Sequence, residues 1–387
     1  MTATSAPVPS GPPPPASEPE GTAYPGRFER VRHAMREKGV DALLLSLGAD
    51  LPWLTGYEAM PLERLTMLVL PAAGEPTLVV PRLEAPRVRD DPSSFGIRPW
   101  GEDEDPVGIV ASLVGSATRL AVSDRTWATF VLGLQRALPK ASWQRSSSIT
   151  APLRAVKDAA EIGALAAASA AADRVAAQLL NGEIPLVGRT ERQVSDDISR
   201  RLIEEGHQRV NFAIVGSGPN SASPHHDAGP RVIRAGEAVV CDFGGARGGY
   251  CSDITRTVWT GSEEPPAGFR ELYDLLQAAQ ATAVKAAKVG ATCESVDAAA
   301  RDIIAAGGFA DAFFHRTGHG IGLEEHEDPY IVSENTIPLV AGHAFSVEPG
   351  IYLEGLFGAR IEDIVVAGDH GPTALNKVSH DLTTVDA

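Results

Sequence analysis

Cysteine is scarce: Cys241, Cys251 and Cys293 are the only three in 387 residues. The total is odd and no two form a C-x-x-C pair, which excludes a disulfide framework and a thiolate zinc finger. Small buried cysteine is the ordinary case and the expectation for all three, including the two that flank candidate ligands. An excess of basic residues is lacking too. Lys and Arg number 34 against 50 Asp and Glu, a formal net charge of −16, with no basic stripe to offset it. That balance argues against non-specific nucleic-acid binding and suits a protein that attracts cations. No uninterrupted apolar run reaches the ~18 residues of a membrane span. Met1 to Gly21 has neither a basic n-region nor an apolar h-region, so no signal peptide is expected and the expected compartment is the cytoplasm.

What is present reads as an α/β (α+β) chain, 43% hydrophobic and 22% charged, long enough for two domains. Residues 1–25 are Pro, Ser, Ala and Glu with a polyproline run at Pro12 to Pro15, and are expected to be a disordered tail. Residues 26–150 read as a small α/β domain. Phe28, Val31 and Met35 lie at helical spacing before a stop at Gly39, and strand-like runs at 41–46, 65–70, 77–80 and 121–123 alternate with helical patches at 107–113 and 129–138. Residues 151–387 read as the second domain. Helices at 158–180 and 190–205, the latter opened by a Thr-x-x-Gln capping box, precede strands at 210–215, 238–242 and 249–258. Helices at 269–288 and 295–306 precede strands at 344–348 and 359–366. Helix, helix, then strands carrying two acids therefore occurs twice. Glu348 follows Asp242 by 106 positions and Glu362 follows Asp253 by 109, the mark of a pseudo-duplicated domain. Glycines between the members of each pair predict hairpins that lay both acids across antiparallel strands.

The stretch His315-Arg-Thr-Gly-His319-Gly-Ile-Gly-Leu-Glu-Glu-His326 holds three imidazoles in twelve residues, broken by three glycines, a composition suited to ligand binding rather than core packing. Asp242, Asp253, Glu348 and Glu362 each end or interrupt an apolar run, where a buried charge is costly unless something neutralises it. Two divalent metal ions held by these four carboxylates and an imidazole would do so. Oxygen donors with one nitrogen select Mn²⁺, Co²⁺, Fe²⁺ or Zn²⁺ over copper, and the carboxylate majority leans towards Mn²⁺. A water bridging such ions becomes hydroxide near neutral pH, so peptide or amide hydrolysis is the natural reaction. Singly, either aspartate reads as a solvated strand-end residue and His319 as a loop histidine. Their joint occurrence carries the reading.

These words, in this order, resemble the metallopeptidases of the pita-bread fold, a family that includes methionine aminopeptidase, aminopeptidase P and prolidase. The resemblance covers most of residues 150–380. It implies Asp242, Asp253, His319, Glu348 and Glu362 as ligands, Asp253 and Glu362 bridging both ions, and Glu348 relaying a proton from the bridging water. The stretch Gly-Ser-Gly-Pro-Asn-Ser-Ala-Ser-Pro-His225 is similar to the proline-specific branch, where this histidine contacts the scissile region. His225 is preferred to His226 because it directly follows Pro224. The same resemblance implies His326 at the tetrahedral oxyanion and His315 and Arg360 lining the substrate pocket. Leu54-Thr-Gly-Tyr is similar to the creatinase-type N-terminal domain that narrows access in proline-specific members, which are commonly homodimers. The implied activity is hydrolysis of small Xaa-Pro peptides.

Two departures bear on specificity. Glu325 stands before His326 where members usually carry an aliphatic residue. Between His326 and Glu348 there is no Arg or Lys, where prolidases often have an Arg that clamps a dipeptide's carboxylate, and Arg360 is the cationic candidate left. Arg360 also has an ordinary structural reading, paired with Asp363 or Glu362. Rival functions are a metal-dependent C–N hydrolase of a small non-peptide and a catalytically silent binding module, whose signature would be a lost ligand. His33, His207, His343, His370 and His380 are expected at the surface, and Glu324, Glu325, Glu327 and Asp328 on a solvated acidic rim.

Overall fold

The computed structural model describes residues 24–89 and 94–386. The expected tail over residues 1–25 lies outside them except for its last two residues, which open the first helix. In that helix, α1 (Tyr24–Glu37), Phe28, Val31 and Met35 all face the core. Gly39, at φ +65°, takes the left-handed turn that a side chain would resist and sends the chain into β1 (Ala42–Leu45). Five more strands follow: β2 (Met67–Pro71), β3 (Thr77–Pro81), β4 (Gly96–Trp100), β5 (Arg119–Val122) and β6 (Ser142–Arg145). They form one sheet in the order β4-β3-β2-β1-β5-β6. Successive residues of β1 serve opposite faces, as the strand period demands. Leu43 and Leu45 join one apolar cluster with α1, while Ala42 and Leu44 join the other, covered by α3 (Pro106–Val114) and α4 (Ala128–Ala137). Short α2 (Asp50–Thr55) and α5 (Ser147–Ala155) complete this part. Edge strand β6 has no apolar alternation and was illegible to a periodicity reading.

The rest of the chain is two similar halves. In the first, α6 (Ala159–Leu180) and α7 (Glu191–Glu204) both start on capping boxes, Asp158 with Glu161 and Thr190 with Gln193. They cover a sheet of β7 (Arg209–Ser217), β8 (Ala238–Arg247), β9 (Tyr250–Cys251) and β10 (Ile254–Thr260), which β18 (Thr383–Val385) extends at its edge. In the second, α8 (Ala267–Ala286) and α9 (Cys293–Ala306) precede β11 (Gly318–Gly320), β12 (Glu327–Ile331), β13 (Ala344–Val347), β16 (Asp363–Val366) and β17 (Thr373–Ala374), ordered β12-β11-β13-β16-β17. Between β13 and β16 the chain makes a hairpin, β14 (Gly350–Leu353) with β15 (Phe357–Arg360). The expected strand over 359–366 is thus two strands of different sheets, broken at Ile361-Glu362, and the one over 249–258 is broken at Ser252-Asp253. Both breaks sit where an acid turns out of its ladder. The two sheets meet at those breaks: Glu362 N–H donates to the Thr255 carbonyl at 3.2 Å. Among the described residues no helix is long and apolar enough to cross a membrane.

Candidate active site

The seam between the sheets is where the acids converge. On β8, Val239, Cys241 and Phe243 point into the core under α6 and α7, so Asp242 between them points the other way, opposite Thr255 of β10. Asp253 immediately precedes β10 and shares a face with Thr255. The second half repeats the arrangement: Glu348 immediately follows β13, on the face of Ser346, and Glu362 immediately precedes β16. His319 sits in the middle of β11. The glycines beside it are not loop residues but allow close strand approach, since a Cβ on Gly318 would meet the Ser346 carbonyl oxygen at 1.9 Å and one on Gly320 the Asp328 carbonyl oxygen at 2.2 Å.

All nine candidate residues line one cavity of about 690 Å³, walled on one side by Phe212 and Ile214 and on another by Phe314. The donor atoms of Asp253, His319 and Glu362 lie within 4.8 Å of one another. His319 Nε2 is 3.2 Å from Glu348 Oε1 and 3.7 Å from Asp253 Oδ2. Its Nδ1 lies 3.1 Å from the Gly320 carbonyl, which can only accept, so Nδ1 carries a hydrogen, and Nε2 is directed at the carboxylates. Thr255 Oγ1 donates to Glu362 at 2.6 Å, and Ser346 Oγ donates to Glu348 at 3.0 Å.

Charge is badly balanced here. Burial, then the carboxylates of Glu362, Asp242 and Glu348, push Asp253 well above the usual carboxylate range. Burial, then Glu348 and Asp242, do the same to Glu362. Asp242 is raised by burial although the Arg360 guanidinium lies against it. Burial would raise Glu348 as well, but the hydrogen bond and charge of His319, with His315 and Arg360, hold it down to about 2. Three carboxylate oxygens, Asp242 Oδ1, Asp253 Oδ1 and Glu362 Oε1, are buried with no hydrogen-bond partner among the described residues. Unpartnered buried oxygens, facing one another and the His319 ring nitrogen Nε2, fit divalent cations.

Arg360 lines the cavity, and each of its nitrogens is engaged: Nε with Thr255 at 3.0 Å, Nη1 with the Tyr352 hydroxyl at 3.0 Å and the Pro224 carbonyl at 3.3 Å, and Nη2 with Asp242. Its acid partner is therefore Asp242, not Asp363 or Glu362, since Arg256 and His380 take Asp363. The Tyr352 hydroxyl lies 2.9 Å from His315 Nε2, and His315 Nδ1 donates to the Arg316 carbonyl at 2.7 Å, so Arg360, Tyr352 and His315 form one chain. His225 and His326 stand exposed at the cavity mouth. The His326 ring lies edge-on to His319, centroids 4.1 Å apart, and desolvation by the wall, then His319 and Arg316, pushes it down to about 4. His226 turns away to a 2.8 Å pair with buried Glu191.

Thr255 and Tyr352 were missed in the sequence. Thr255 was legible as the residue two after Asp253, hence on its face of the strand, whereas nothing local marks Tyr352. Other expectations fail. His207 and His343 are buried, the former bonded to Ser252 at 2.8 Å, and Glu327 is not on a solvated rim but buried against Lys157 at 2.5 Å and Arg154. All three cysteines are buried and unpaired.

Residues 155–369 match the model of metallopeptidase family M24, and residues 27–156 match the creatinase/prolidase N-terminal domain. This chain belongs to family M24. Among relatives of this M24 protein, a Mycobacterium tuberculosis protein named probable dipeptidase PepE is 44% identical over 95% of the chain and 98% of its own length. A Lactobacillus helveticus protein named Xaa-Pro dipeptidase is 32% identical over 92% and 98%. Among solved structures, the M24 chain superposes on dipeptidase PepE from Mycobacterium ulcerans with a TM-score of 0.87, 44% identity and coverage of 94% and 98%. For the prolidase of Thermococcus sibiricus the values are 0.89, 35%, 94% and 100%.

Proposed function

We propose that this M24 protein is a dinuclear metal-dependent exopeptidase that hydrolyses the bond before proline in small Xaa-Pro peptides. The reading is carried by one observation: a carboxylate-rich donor set with three unpartnered buried oxygens faces a cavity whose mouth holds His225 and His326. The names of the Lactobacillus helveticus and Thermococcus sibiricus relatives support the proline specificity. An Xaa-Pro bond lacks the N–H that ordinary peptidases grip, so a dedicated pocket is physically sensible.

Asp242, Asp253, His319, Glu348 and Glu362 would hold two divalent ions, with manganese the best match to the oxygen majority. When bound, the ions supply Lewis acidity and an activated water. The protein's own groups do the rest. Glu348 accepts the proton of the attacking water and delivers it to the prolyl nitrogen. His326, uncharged at neutral pH, offers an N–H to the oxyanion. His225 contacts the scissile region from the mouth. Arg360 holds Asp242 in place and, through Tyr352, fixes the ring of His315.

The test is a panel of Xaa-Pro dipeptides, Xaa-Pro-Yaa tripeptides and small non-peptide amides, assayed on metal-stripped protein reloaded with Mn²⁺, Co²⁺ or Zn²⁺. Turnover of Xaa-Pro substrates alone is expected, and Asp253→Ala should lose bound metal and turnover together while staying folded. Turnover confined to the small amides, or full turnover by the variant, counts against the reading.

A further inference from the structure

We infer that Arg316 anchors the free α-carboxylate of the substrate and so makes the site selective for dipeptides. The inference rests on the Xaa-Pro peptidase reading above. Among the described residues, two arginines line the cavity, Arg316 and Arg360. Arg360 is 2% exposed and all three of its nitrogens already have partners, so it has no bidentate edge to offer. Arg316 differs in each respect. It is half-buried, its guanidinium carbon lies 4.7 Å over the ring of Tyr330, and among the described residues it forms no ion pair and no side-chain hydrogen bond. A guanidinium laid on an aromatic face keeps its N–H edge free, in the plane that suits a carboxylate.

Position agrees with charge. A dipeptide's carboxylate lies one residue beyond the scissile bond, at most ~3.6 Å of chain, so its anchor must share the cavity with the acids. Arg316 follows His315 directly and is three residues before His319, on the chain segment that carries both. Once cations neutralise the four acids, Arg316 is a cation facing the cavity with no counter-ion among the described residues, and a free C-terminus supplies one. Tyr330, on β12 four residues after His326, gives it the platform. The missing cation between His326 and Glu348 is thereby accounted for from the neighbouring strand.

The test compares wild type, Arg316→Ala and Arg316→Lys, all metal-loaded, on an Xaa-Pro dipeptide and on the same dipeptide as its C-terminal amide. For the acid, kcat/KM should fall ~10- to 100-fold in Arg316→Ala, chiefly through KM, as expected for a lost charge-assisted pair. For the amide it should hold within about twofold, leaving the variant with little preference between the two. Arg316→Lys should recover part of the preference. Added L-proline should inhibit wild type more strongly than Arg316→Ala, while L-prolinamide inhibits both alike. Equal losses on acid and amide, or no loss on the acid, would overturn the role of Arg316 while leaving an active Xaa-Pro peptidase. A wild type that hydrolyses neither substrate would overturn the peptidase reading and this inference with it.

Discussion

Asp253 and Glu362 titrate above their unfolded values of about 4 because burial and neighbouring acids penalise the charged form. The metal-free folded protein therefore holds protons that the unfolded chain has lost. The sign follows: their contribution to stability is complete below the unfolded value and is lost as pH rises through the folded ones. Metal-stripped protein should accordingly lose melting temperature on going from about pH 5 to neutrality, and Asp253→Asn, which removes one of the groups that must take up a proton on folding, should flatten that fall. At neutral pH the variant should melt higher than stripped wild type, by roughly 2 °C for each kcal/mol relieved. With saturating Mn²⁺ the order should reverse, because the variant lacks a carboxylate proposed as a ligand. Thermal scans of both proteins across pH, stripped and loaded, check this, and parallel stripped profiles would show that Asp253 is not strained. Acids such as Asp363, held low by His380 and Arg256 against burial, act in the opposite sense at lower pH, so the difference between variant and wild type is the informative quantity.

Elements show what was readable in the chain and what was not. The long helices, and the capping box at Thr190, were legible because caps and apolar spacing are local. The four acids were legible because a charge at the end of a buried run requires a neutralising partner. The strand breaks at Asp253 and Glu362 were not, since strand-forming residues flank each acid on both sides and neither Gly nor Pro marks the break. Nor were β11 and β12, because Gly318-His319-Gly320 reads as a loop until Ser346 and Asp328 are seen pressing on it. The partner of Arg360 lies 118 residues away on another sheet, and no spacing rule finds it. A further element-level tie joins the N-terminal part to the strand after His326: Arg154 on α5 contacts Asp50 of α2 at 2.9 Å, Glu324 at 2.7 Å, and Glu327. Removing one partner of a buried cluster leaves uncompensated charge. Arg154→Met should therefore cost roughly 3–5 kcal/mol in denaturant unfolding, and it should lower kcat by loosening His326. Unchanged stability would mean that the acids are satisfied without it.

At the scale of the whole molecule, the donor set is divided between the halves: Asp242 and Asp253 come from one sheet, His319, Glu348 and Glu362 from the other. Neither half alone holds the full set, and the halves touch directly at the Thr255–Glu362 contact. A cation there binds only the assembled chain, so by mass action it stabilises that state by about 2.7 kcal/mol when free metal is 100-fold above its Kd, and by ~1.4 kcal/mol more for each further tenfold. The melting temperature should rise with the logarithm of free Mn²⁺ and not at all in Asp253→Asn. The gain should also have a location. The N-terminal sheet has its own apolar clusters and holds none of the proposed ligands, so hydrogen exchange should slow on adding metal in β8, β10, β11, β13 and β16 together and stay nearly unchanged in β1 to β5. Protection confined to one catalytic sheet would mean that the ions do not weld the two halves, and the shared centre would have to be abandoned in favour of a site on that sheet alone.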